Sequence, residues 1–152
     1  MFSIREVLDL AVQIEKNGER FYREAMRRFL DPSVLSLLQW MAEEEVKHAE
    51  WFSKRKELLP QGEGERKEIE SGLLVGILGD QTFSLKEADF STIHDVGKML
   101  EVALEFEKDT ILFYEFIQSL VEDRETSKEL QEILEEERRH IQNLEQYRNS
   151  VR

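Results

Sequence analysis

The sequence predicts an all-α fold, a four-helix bundle made of two repeated helical hairpins joined by a long crossover. Three observations predict it. Apolar residues recur at alternating steps of three and four along four stretches, the spacing of one helix face. A shift of 92 residues sets Leu8 to Phe52 on Leu100 to Leu144 without a gap. Thirteen of those 45 positions are identical, where chance gives about three or four, so the halves are an internal duplication. Glycines gather between the halves, at Gly62, Gly64, Gly72, Gly76 and Gly79.

The first hairpin is expected over about residues 3–59. Ser3-Ile4-Arg5-Glu6 reads as a capping box that starts a helix, and the stripe Ile4, Leu8, Ala11, Glu15, Gly18, Tyr22, Ala25 and Phe29 continues it. Asp31-Pro32 ends that helix and starts the next, because proline suits the first helical position after an aspartate cap. The second stripe is Val34, Leu38, Met41, Glu45, His48 and Phe52, with Pro60 as the stop. Residues 60–90, in which only Leu73 to Leu78 is markedly apolar, form the long crossover, with one short helix expected within it.

The second hairpin is expected over about residues 91–150. Ser91 or Thr92 caps a third helix with the stripe Val96, Leu100, Ala103, Glu107, Thr110, Tyr114, Ile117 and Val121. After Glu122-Asp123 the fourth stripe runs Leu130, Ile133, Glu137, His140, Leu144, Tyr147 and Val151. The whole chain of 152 residues is therefore read as one domain.

Composition narrows the chemistry. With 33 acidic against 21 basic residues the formal charge is -12, a field that repels nucleic acid and anionic membranes. No long uncharged apolar run and no signal-like N-terminus is present, so a soluble, cytoplasmic protein is expected. The absence of cysteine excludes thiolate metal sites, iron–sulfur clusters and cysteine nucleophiles within these residues. Any bound metal must be held by oxygen and imidazole.

Each of the four stripes carries a glutamate at its middle, where the periodicity demands a core residue. A carboxylate buried without a partner loses its solvation, so buried acids are paired, protonated or bound to metal. Two of the glutamates are followed three residues later by histidine, on the same helix face. The assembled set is Glu15, Glu45, His48, Glu107, Glu137 and His140. Bundles that hold two carboxylate-bridged metals draw one glutamate from each of two helices and Glu-x-x-His from each of the other two. Two divalent cations balance four carboxylates, whereas one leaves a buried negative excess. A bundle with no metal, serving interaction alone, is the competing reading.

Tyr22 and Tyr114 lie two turns beyond Glu15 and Glu107 on the same stripes. Either they simply fill the core, or their hydroxyls bond a ligating carboxylate on a neighbouring helix. Glu43, Glu44, Glu135 and Glu136 flank the candidate ligands on outward faces and are expected to be solvated. Glu19 faces no equivalent acid in the repeat, where Ile111 stands, and His94 is expected to be exposed.

At these residues the sequence resembles the ferritin-like superfamily and, within it, the rubrerythrins. The carrying motifs are Glu15-x6-Tyr22, Glu45-Val46-Lys47-His48, Glu107-x6-Tyr114 and Glu137-Arg138-Arg139-His140, within a resemblance over about residues 4–148. It implies a non-haem centre of two iron ions that reacts with peroxide or dioxygen, with manganese also suited to such ligands. Glu45 and Glu137 would bridge, Glu15 and Glu107 would be terminal, and His48 and His140 would each serve one iron. No catalytic residue is implied beyond these ligands. Two departures stand out: none of these residues is a cysteine, so the rubredoxin-like domain usual in rubrerythrins is not expected among them, and Thr110 occupies the position of an additional glutamate. The implied activity is oxidoreduction, as a peroxidase or ferroxidase related to oxidative stress. Electrons would come from an external donor such as a rubredoxin or a flavin reductase. Iron binding or storage without turnover is the alternative, and a homo-oligomer is compatible with either.

Overall fold

Each hairpin turns at an aspartate that satisfies the first free amides of the following helix. The computed structural model describes residues 2–59, 68–69 and 90–150. Among them, α1 spans Ile4–Met26 and α2 spans Pro32–Glu57, with Asp31 as the cap accepting from Ser33 N at 2.8 Å. In the second half, α3 spans Val96–Leu120 and α4 spans Arg124–Ser150. Asp123 Oδ2 accepts from both the backbone N and the hydroxyl of Thr126, at 2.9 and 2.6 Å. These are the repeated aspartates of the duplication, and in both halves they hold the same turn.

The expected boundaries need two corrections. Ser91 and Thr92 do not cap α3: residues Phe90–Thr92 form a short 3-10 turn, and Asp95 caps the helix through Lys98 N at 2.7 Å. A carboxylate placed one residue before the helix competes better for its amides than a hydroxyl four residues away. Phe29 lies past the end of α1, which closes at Met26 with backbone bonds from Arg27 to Glu24 and from Arg28 to Ala25. Phe29 still packs on the core from the turn. A short antiparallel pair joins β1 (Phe2–Ser3) to β2 (Glu68–Ile69). Residues 60–67 and 70–89 of the crossover, where one short helix is expected, lie outside the described residues.

The core is divided along the bundle. One apolar cluster gathers Val7, Leu8, Ala11 and Ile14 with Phe52, Phe106, Ile117 and Leu130. The other gathers Phe21, Ala25, Leu38 and Met41 with Met99, Leu100 and Leu144. On every helix the residues between these clusters are the polar ones of the four stripes, so a polar layer lies between two apolar layers.

Candidate metal centre

Turn position sets the height of the polar layer. In each hairpin the first glutamate precedes the turn aspartate by sixteen residues and the second follows it by fourteen. At 1.5 Å per residue these are helical distances of about 24 and 21 Å, so antiparallel neighbours bring the two carboxylates level. Glu15, Glu45, Glu107, Glu137 and His140 are fully buried, and His48 is 2% exposed. All six residues singled out from the sequence therefore meet in the middle of the bundle.

Their atoms form two overlapping groups. Glu45, Glu107, Glu137 and His140 place one donor atom each within 4.8 Å of one another, and so do Glu15, His48 and Glu137. Glu137 is common to both. The ring planes of His48 and His140 lie 20° apart with centroids at 6.0 Å.

The donor set is under-satisfied by protein alone. Glu15 Oε2, both oxygens of Glu45, Glu107 Oε2, Glu137 Oε2 and both ring nitrogens of His140 are buried without a hydrogen-bond partner. A buried polar atom left unpaired costs about 1–3 kcal/mol, more when charged, so this concentration of orphaned donors asks for a partner. Carboxylate oxygens and imidazole nitrogens converging on one volume could hold metal ions.

Two tyrosines select which oxygens remain available. Tyr22 on α1 donates to Glu107 Oε1 on α3 at 2.6 Å, and Tyr114 on α3 donates to Glu15 Oε1 on α1. Each fixes one carboxylate oxygen and leaves Oε2 of the same residue unpartnered. Burial, with the nearby carboxylates, raises both phenol pKa values well above the ordinary range, so both hydroxyls keep their protons and stay donors.

Protons take part of the positive charge the layer demands. Burial, reinforced by the charges of Glu15, Glu107 and Glu137, raises Glu45 well above the carboxylate range. Burial and the adjoining Glu137 raise Glu107 to about 7. Burial and the Glu15 charge push Glu137 upward too, but the neighbouring Glu107, His140 and His48 leave it lowered overall. His140 resists charging through burial, yet Glu107 and Glu137 outweigh that and raise it to about 10. Its Nδ1 stands 3.5 Å from Glu137 Oε2 and 3.6 Å from Glu107 Oε1, within ion-pair range but short of well-formed hydrogen bonds. His48 is likewise raised, burial opposing and the Glu15, Glu136 and Glu137 carboxylates prevailing.

Two features escaped the sequence reading. Glu136 is not a freely solvated acid: its Oε2 lies 2.6 Å from His48 Nε2, and that bond lowers its pKa. Gly18 is the other. A Cβ there would lie 2.8 Å from Glu45 Oε2 and 2.9 Å from the Phe106 ring, so the absent side chain makes room for a carboxylate of the layer. Its place among core positions of the stripe was the available signal. His94 is exposed, Glu19 pairs with Arg23 at 2.6 Å, and Thr110 is buried with its hydroxyl donating to Phe106 O at 2.8 Å.

The rubrerythrin family model matches residues 6–74, the stretch that carries Glu15, Glu45 and His48. Those residues are rubrerythrin-like in sequence. A solved structure from Thermotoga maritima, described as a ferritin-like diiron-carboxylate protein, matches with a TM-score of 0.75. The match covers 100% of this chain and 98% of that one at 21% identity, a likeness of fold. No curated protein sequence matches. The fold is thus ferritin-like over both hairpins, while the rubrerythrin likeness in sequence lies in the first hairpin and the residues that follow it. Among the described residues no helix is long and apolar enough to cross a membrane.

Proposed function

We propose that this chain is a di-iron carboxylate oxidoreductase that reduces peroxide or dioxygen with electrons supplied by another protein, or with electrons taken from ferrous iron that it oxidises. One observation carries the reading: four buried glutamates and His140 present unpartnered donor atoms to one another from four helices, with buried His48 beside them on Glu137. Glu15 and His48 would serve one ion and Glu107 and His140 the other; Glu137, common to both donor groups, would serve both, and Glu45, grouped with Glu107 and His140, would do so as the rubrerythrin resemblance implies. A bound iron pair supplies two reducing equivalents, the number that peroxide reduction requires.

The protein's own part is to hold, orient and exclude. Tyr22 and Tyr114 lock one oxygen of Glu107 and of Glu15, so the other oxygen of each is presented without rotation. The two apolar clusters close the layer from the bundle ends, and the low exposure of its residues keeps water from competing. Charged His48 and His140 must each release a proton to serve as ligands, so loading is coupled to proton release.

Stopped-flow absorbance on iron-loaded, reduced protein mixed with stoichiometric peroxide tests the reading. A single burst of oxidation is expected, with continued turnover only when a rubredoxin-like or flavin-dependent reductase is supplied, since the chain has no cysteine to relay electrons. Glu45→Ala and Glu137→Ala should lose the burst. Protein that binds iron and stays reduced would leave metal binding or storage in place of redox catalysis.

A further inference from the structure

The duplication makes Glu44 and Glu136 equivalent, each standing immediately before a glutamate of the polar layer. Their surroundings are not equivalent. Glu136, half-buried on α4, reaches across to His48 Nε2 at 2.6 Å, while the ring's Nδ1 faces Glu137 Oε1 at 2.8 Å and Glu15 Oε1 at 3.4 Å. Glu44 does not do the same for His140. It stands 3.5 Å from Lys47 and shares the outer side of His48 with Glu136, donor atoms of the three lying within 4.8 Å. Both ring nitrogens of His140 lack a hydrogen-bond partner, and the ring meets Trp40 edge to face at 5.1 Å. Trp40 corresponds to Glu132 in the repeat, so the two halves have diverged where they flank the histidines.

We propose that Glu136 is a positioning residue for His48, which makes the two metal positions unequal: the one served by His48 depends on an outer carboxylate, and the one served by His140 does not. This rests on the two-metal reading above. When Nδ1 holds a cation, the remaining ring proton sits on Nε2 and is donated to Glu136. That bond fixes the tautomer, stops rotation about the ring axis and makes Nδ1 a stronger donor. Loss of such a partner typically costs ten- to a hundredfold in metal affinity. Glu136 also lines an open groove between α2 and α4 with Lys47, His48, Lys54 and Glu132, so its side chain can be changed without opening the core.

Cobalt(II) titration of the full chain, followed by its visible absorption bands, reads the two positions. The wild type should take up two ions. Glu136→Ala should weaken one of them by about ten- to a hundredfold and leave the other unchanged. Glu136→Gln, whose amide oxygen still accepts from Nε2–H, should recover part of that loss. Glu135→Ala, which removes the same charge from the neighbouring exposed position, should titrate as wild type. His48→Ala with Glu136→Ala should bind no more weakly than His48→Ala alone, as expected if Glu136 acts through the ring. Wild-type titration by Glu136→Ala, equal weakening of both ions, or additive loss in the double variant would each overturn the proposal while the two-metal reading stood. A wild type that binds no cobalt would remove the two-metal reading as well.

Discussion

The Tyr22 hydroxyl donates to Glu107 Oε1 across the bundle at 2.6 Å, and Tyr114 returns the same bond to Glu15 in the other direction. The paired bonds tie α1 to α3, which lie in different hairpins, at the height of the polar layer. Tyr22→Phe or Tyr114→Phe keeps the ring and strips the donor, leaving a buried carboxylate oxygen unsatisfied. Each variant should lose about 1–3 kcal/mol of folding stability. Urea denaturation at neutral pH checks this, and variants as stable as wild type would show that the bonds are dispensable.

Histidine removal should be visible in stoichiometry. His48→Ala or His140→Ala takes one imidazole from a layer that holds no cysteine and no other buried histidine among the described residues. Each should lower the iron bound per chain after gel filtration, measured by elemental analysis. Full occupancy in both variants would contradict the ligand assignment.

Metal removal should lower the melting temperature, and the effect should grow with pH. Glu107 is raised to about 7 from a carboxyl near 4.5, so the metal-free folded state holds that proton more tightly than the unfolded state. Stability from this group is present at acid pH and lost as pH rises through 7. His140, raised from 6.5 to about 10, loses its contribution over that higher interval. The metal-free protein therefore weakens as pH rises, while metal binding, which needs those protons gone, strengthens. Free metal a hundredfold above Kd adds about 2.7 kcal/mol. That is roughly 5–11 °C for a domain of this size, at about 2–4 °C per kcal/mol. Calorimetric scans with and without chelator at pH 5.5 and pH 8 should show the smaller gap at pH 5.5.

Gly18→Ala sets two effects against each other. Alanine gains about 1 kcal/mol of helix propensity over glycine in a helix interior. Against it stands a Cβ at 2.8 Å from Glu45 Oε2 and 2.9 Å from the Phe106 ring, an overpacking that typically costs about 1–3 kcal/mol. The clash should win, with lower stability and weaker metal binding than wild type. A stabilised Gly18→Ala variant with unchanged metal binding would show that Glu45 and Phe106 yield freely.

The sequence revealed what depends on spacing along one helix. The four helices, the turns at Asp31 and Asp123, and the convergence of Glu15, Glu45, His48, Glu107, Glu137 and His140 all follow from periodicity plus duplication. What it left hidden depends on how two helices meet. Glu136 is one residue from Glu137 and reads as solvated on its own helix, yet it lies against His48 of α2. Trp40 gives no sign of its contact with His140, because helix rotation and rotamer decide it. The start of α3 is ambiguous in the sequence because Ser91, Thr92 and Asp95 are all suitable caps, and it is the Asp95 carboxylate that takes the role.

The polar layer between two apolar layers also acts as an alignment key for the helices. Sliding one helix by a single turn, about 5.4 Å, would carry its carboxylate out of reach of its partners and bring an apolar side chain into their midst. Glu15 would then lie among neighbours of the kind that surround Ala11 and Ile14, where no opposing charge waits. An apolar bundle with the same volume would tolerate such slips more readily. The side chains proposed to carry the chemistry thus also exclude the out-of-register packings that a repeated, uniformly helical sequence would otherwise permit.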